Sequence, residues 1–125
     1  MSNISPGQDL DLSLLFEIAD GSDEFIVESI EMFLQQTPEI LQSISASIEE
    51  KNWPAVASAA HKIKANLGFF GMPVCKEIIQ EIEHGAKHGA PDPEILISKF
   101  KEVQDLIKGN LISLEKIKNE KAAGL

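Results

Sequence analysis

The sequence predicts an all-α protein: an antiparallel up-down-up-down four-helix bundle with a short extra N-terminal helix. Three observations carry this. Apolar residues recur at steps of three and four in four long segments, the period of a single helix face. Capping or breaking residues stand where those segments begin. Strand signals are weak, with no Tyr, aromatic residues at only 6% and no sustained alternation.

Each element follows in order. Residues 10–19 read as the short extra helix. The first long segment opens at Ser22, whose hydroxyl can cap the turn that Asp23 and Glu24 enrich in negative charge. Its stripe is Ile26, Ile30, Phe33, Leu41, Ile44 and Ile48, with a gap at Thr37. Pro38 makes it either one bent helix or two, since Thr37 could cap a new helix with Pro38 in its first position. The second segment runs from about Asn52 to Phe70 on Trp53, Val56, Ala60, Ile63, Leu67 and Phe70, and Gly71 offers a stop. The third starts at Pro73, buries Val74, Ile78, Ile79 and Ile82, and ends before Gly85 and Gly89. The fourth opens with Asp92 as cap and Pro93 behind it, with Leu96, Phe100, Val103, Ile107, Leu111 and Leu114 on its stripe. Short turns make sequential helices antiparallel neighbours. The 125 residues form one domain, with residues 1–8 expected to be flexible and residues 119–125 expected to fray.

Charge narrows the functional classes. The chain holds 20 Asp+Glu against 11 cationic side chains, all Lys, for a net charge of -9. That disfavours nucleic acid and anionic membrane surfaces as partners, because both are recognised by basic patches. No apolar run approaches the ~18 residues of a membrane span, and the start MSNISPGQDL lacks a secretory pattern. A single cysteine, Cys75, makes the reducing cytoplasm the expected compartment and is itself expected to be a small buried residue. Neither common glycine-rich phosphate loop is present, so no nucleotide site or other cofactor is expected. The acid is unevenly spread. Residues 1–50 carry 11 Asp/Glu and no Lys, whereas the stretch from Lys51 to Lys76 carries four Lys and no acid.

One histidine lies inside that stretch and faces away from the core. At ~100° per residue, His61 falls roughly 135° from the centre of the second segment's apolar seam, and Lys64 about 75° from it. Ala65 and Gly68 continue the face beyond His61. A surface histidine is ordinarily only polar, and Lys64 alone would be a solvated charge. Gly68 is harder to dismiss, because a mid-helix glycine costs ~1 kcal/mol relative to Ala. On an exposed face it lets another backbone approach. A neutral imidazole is a good nucleophile toward phosphorus, and Lys64 at i+3 can offset a phosphoryl charge. The acid-free stretch is expected to surround this face with net positive charge.

Residues 60–72, AHKIKANLGFFGM, resemble the signature of histidine-containing phosphotransfer (HPt) domains of bacterial multistep phosphorelays. His61, Ile63, Lys64 and Gly71 stand where that family places His, an apolar residue, Lys and Gly, and Ile82-Glu83 matches its pair on the next helix. Ala65 replaces a usual Gly, and Asn66-Leu67 a frequent Ser-Ser. The resemblance covers roughly residues 20–115. It implies that His61 takes the phosphoryl group with Lys64 as its neighbour. It implies receiver domains of a hybrid kinase or response regulator as partners, supplying the aspartate, the metal and a lysine. The chain is then a phosphoryl carrier, not an enzyme. Lys62, Ala65, Gly68 and Glu83 are assigned to partner docking, with Glu83 either orienting the imidazole or merely solvated.

The competing reading is an adaptor bundle that docks receivers without taking phosphate, for which His61 and Lys64 together have no purpose. His84 and His88 stand four apart, a chelating interval, but no further ligand is near in sequence and no metal site is assigned. A monomer is expected, and the two ends lean toward a free-standing shuttle.

Overall fold

A computed structural model of the chain describes residues 9–125, so the flexibility expected of residues 1–8 lies outside the described residues. Among the described residues the elements are α1 (Ser13–Ala19), α2 (Asp23–Glu49), α3 (Trp53–Phe69), α4 (Pro73–Lys87) and α5 (Pro93–Ala122), with no strand. The long helices form a ring in which α2 packs on α3, α3 on α4, α4 on α5 and α5 back on α2, while α1 leans on α2. This is the expected four-helix bundle with a short extra helix.

Local chemistry sets the boundaries. Ser22 Oγ accepts from Phe25 N at 3.1 Å and Asn52 Oδ1 from Ala55 N at 3.3 Å, each taking one of the donors that a helix start leaves free. Prolines sit in the first turns of α3, α4 and α5, where a missing N–H removes nothing the helix needs. At the end of α3, Gly71 is left-handed (φ 64°). Met72 N reaches Leu67 O at 2.9 Å and Gly71 N reaches Gly68 O at 3.1 Å, closing the paired bonds of a Schellman stop. The ends of α2 and α4 close in the same way, around Lys51 and Gly89.

Pro38 does not split the second element. α2 is one helix through it, because Phe33, Thr37, Leu41 and Ile44 are all buried on one side and their packing outweighs the backbone bond that proline removes. α4 passes Gly85 and stops only at Gly89. α5 continues to Ala122, past the point where the tail was expected to fray, and Lys121 Nζ lies 3.4 Å from Asp23 Oδ1 of α2. The seam residues read from the sequence fill the core, with Ile48, Trp53, Val74 and Leu111 at its partly buried rim.

The segment before α1 is a structural strap that periodicity does not reveal. Asp9 is buried, and its carboxylate accepts from Val74 N at 3.1 Å and Cys75 N at 2.8 Å, capping the positive end of α4. Buried Asn110 of α5 donates to Asp9 O at 3.0 Å. Asp11 N donates to Gly71 O at 2.8 Å, and a Cβ on Gly71 would stand 1.8 Å from Asp11 O. Gly71 therefore meets two demands, positive φ and close backbone approach. Cys75 lies in the core behind the strap, where burial, reinforced by Asp9, pushes its thiol pKa up and leaves it inert.

Candidate functional site

α3 has small or apolar residues on the faces it turns to its neighbours (Val56, Ala60, Ile63 and Leu67 are buried), so its remaining face is open. His61 stands midway along that face, its side chain 70% exposed, and Lys64 follows on the flank at 25%. Ala65 is exposed, and Gly68 half-buried. Lys62 is exposed but turns toward α2, lining a hollow with Glu39 and Ser43.

α4 supplies the group that organises this face. Glu83 accepts from Lys64 Nζ on Oε1 at 2.7 Å, while its Oε2 lies 3.0 Å from His61 Nδ1 and 3.1 Å from Lys87 Nζ. Its side chain is only 5% exposed. Glu83 thus lies beneath the histidine, bonded to the exposed side chains of His61 and Lys87. A carboxylate this buried and bonded to the imidazole is not a solvated helix acid. The hydrogen bond from Lys64, joined by those from Lys87 and His61, outweighs the cost of burial and pulls the Glu83 pKa down to about 2. Glu83 is therefore an anion at neutral pH and can only accept, so Nδ1 of neutral His61 carries the proton. Nε2, across the ring, keeps its lone pair on the exposed side.

A groove of about 900 Å³ opens beside His61 between α3, α4 and α5. Its charged walls are mixed: Lys64, Lys76, Lys87 and Lys99 face Glu77, Glu81 and Glu83, and Lys99 is ion-paired with Glu81. The expected net-positive surround is reduced to a single excess charge, four Lys against three Glu. The stretch from Lys51 to Lys76 is free of acid in sequence, but α4 lays its own acids against it.

Gly68 also has a neighbour within the chain. A Cβ there would meet Lys76 Nζ at 3.4 Å, an ordinary contact with a flexible side-chain end. The rings of His84 and His88 pack with centroids 4.4 Å apart and planes tilted by 47°, and His88 Nδ1 lies 2.8 Å from His84 O. Among the described residues no group of three or more His, Cys, Asp or Glu side chains is placed to hold a metal ion. Likewise no helix among them is long and apolar enough to cross a membrane.

One residue of the site escapes the sequence pattern. Lys87 had no assignment, although Glu83 and Lys87 form an i, i+4 acid–base pair. The burial of Glu83 was signalled by its position four residues after buried Ile79 and three before buried Ala86.

No solved structure matches this chain significantly. Among curated proteins it is similar to the signal transduction histidine-protein kinase BarA of Shigella flexneri and of Escherichia coli K12, 25% identical over 97 residues. The alignment takes in 74% of this chain, which spans only 11% of the length of those relatives. The profile of the Hpt domain matches residues 28–109, a stretch that contains His61, Lys64, Glu83 and Lys87. With two thirds of its length inside that match and the four-helix bundle around it, the chain belongs to the Hpt domain family.

Proposed function

We propose that this domain is a phosphoryl carrier of a phosphorelay, taking the group from a receiver-domain aspartyl phosphate onto His61 and passing it to a second receiver aspartate. The observation that carries the reading is the bond between His61 Nδ1 and Glu83 Oε2 at 3.0 Å. It fixes the tautomer in which Nε2 is the free nucleophile and points that atom outward.

In the forward step the Nε2 lone pair attacks phosphorus. The P–N bond forms as the acyl P–O bond breaks, and the electron pair leaves with the aspartate carboxylate. Nδ1 keeps its proton throughout, so the ring becomes imidazolium-like and its new positive charge lies against the Glu83 carboxylate. That interaction strengthens as charge develops, the condition for lowering a barrier instead of merely binding. Transfer to the second aspartate is the same step reversed. Ala65 and Gly68, one and two turns past His61, leave room for the partner's loops. The receivers, the kinase that loads them and the cytoplasm where they meet belong to this proposal too.

Incubation with phosphorylated receiver domains is expected to give acid-labile, alkali-stable phosphate on the wild-type chain and none on His61→Gln. Label on His61→Gln refutes the assignment. Receiver binding by a wild-type chain that never takes label supports the adaptor reading instead.

A further inference from the structure

Charge accounting around His61 singles out Lys87. Glu83 contributes one negative charge, and Lys64 on Oε1 at 2.7 Å cancels it. Lys99 is occupied by Glu81. Lys76 lies beside Gly68, which is about 10 Å along α3 from His61. Glu77, the remaining acid of the groove, lies ten residues before Lys87, about 15 Å along α4, so the ammonium left beside His61 is that of Lys87. It lies 3.1 Å from Glu83 Oε2, the oxygen that also lies 3.0 Å from His61 Nδ1, and those two distances together cap its separation from the imidazole. It also lines both hollows that flank His61.

We propose that Lys87 is a phosphate-binding residue of this domain, resting on Glu83 while His61 is bare and moving to the phosphoryl oxygens when Nε2 carries the group. The inference rests on His61 being the phosphoacceptor. The two lysines differ in what their departure would leave behind. Among the described residues Lys64 alone bonds Oε1, and it is 25% exposed, so moving it would strand a buried carboxylate oxygen. Lys87 is 61% exposed and shares Oε2 with the imidazole, so Nδ1–H still satisfies that oxygen after Lys87 leaves. Lys64 is thus the anchor of Glu83, and Lys87 the mobile cation that meets the phosphoryl dianion. This reverses the weight that the spacing of His61 and Lys64 suggests.

Phosphoramidate, which transfers its phosphoryl group to histidine with loss of ammonia, tests this without a partner protein. Phosphorus NMR follows formation and hydrolysis of phosphohistidine on the full chain and on Lys87→Ala and Lys87→Arg. Lys87→Ala is expected to slow labelling and shorten the phosphohistidine lifetime by about five- to tenfold, with helicity unchanged and only a small fall in melting temperature from the lost i, i+4 pair. Lys87→Arg is expected to restore most of both. Raising salt should slow labelling of the wild type but barely affect Lys87→Ala. If the wild type takes label and Lys87→Ala matches it in rate and lifetime, the inference is overturned while the carrier function stands. If the wild type takes no label from phosphoramidate or from any phosphorylated receiver, the reading of His61 fails, and the role of Lys87 fails with it.

Discussion

Replacing Glu83 by Gln keeps the shape of the side chain and an oxygen able to accept from His61 Nδ1, but removes the charge. The imidazole is neutral before transfer and positive after it, so most of the benefit of the carboxylate appears only as the P–N bond forms. A hydrogen bond to a charged group contributes ~1.5–3 kcal/mol and a neutral one ~1 kcal/mol. The difference, discounted because His61 is 70% exposed, is about 1 kcal/mol, or roughly a five- to tenfold slower chemical step. The same substitution releases Lys64 and Lys87 from their counter-ion, which favours binding of an anionic donor. The two effects separate in a single-turnover titration. Glu83→Gln should reach half-saturation at lower donor concentration yet plateau at a rate about five- to tenfold below wild type. A plateau within twofold of wild type refutes the argument that Glu83 stabilises the charging imidazole.

Three further outcomes follow from the structure. Because Lys64, Lys87 and His61 hold the Glu83 pKa down to about 2, below its ordinary ~4.3, the stabilising effect of its charge is complete above the ordinary range and is lost as pH falls toward 2. Chemical unfolding should show the wild type about 1–2 kcal/mol more stable than Glu83→Gln at pH 7, with the gap closing between roughly pH 4.5 and 2. Gly71→Ala puts a Cβ 1.8 Å from Asp11 O at a φ of 64°, so it should cost at least ~2 kcal/mol in thermal unfolding. Gly68→Ala meets only the Lys76 side-chain end, so it should stabilise the bundle by up to ~1 kcal/mol while slowing transfer from receivers and sparing transfer from phosphoramidate. Equal effects on both donors would show that Gly68 does not serve docking.

The bundle was legible because its information is local and repeated. α2, α3 and α5 carry their own caps, every long helix carries its own apolar stripe, and short turns leave one way to pack them. Pro38 was the ambiguous point, since local rules allow a break there and only the burial of Thr37 and Leu41 against other helices removes it. His61 and Lys64 could be read because they share one helix. Glu83 could be set near them only through the family resemblance, and Lys87 not at all, because periodicity says nothing of the rotation of α4 against α3, a property of packing between helices. The same limit hid Asp9, whose carboxylate caps a helix 65 residues away in sequence. It also made the acid-free stretch overstate the positive charge of this face, because surface charge is summed in space and α4 contributes acids of its own. Gly71 has a place in the family pattern, but the reason for it, the backbone of Asp11 lying against it, is visible only in three dimensions.

The central claim is that Glu83 holds the proton on Nδ1 of His61 so that Nε2 takes the phosphoryl group. Nitrogen–phosphorus correlation NMR on the phosphorylated, isotope-labelled chain tests it directly. The account predicts phosphorus coupled to Nε2 of His61 alone, with Nδ1 still protonated. Phosphorus on Nδ1, or on any residue other than His61, contradicts it.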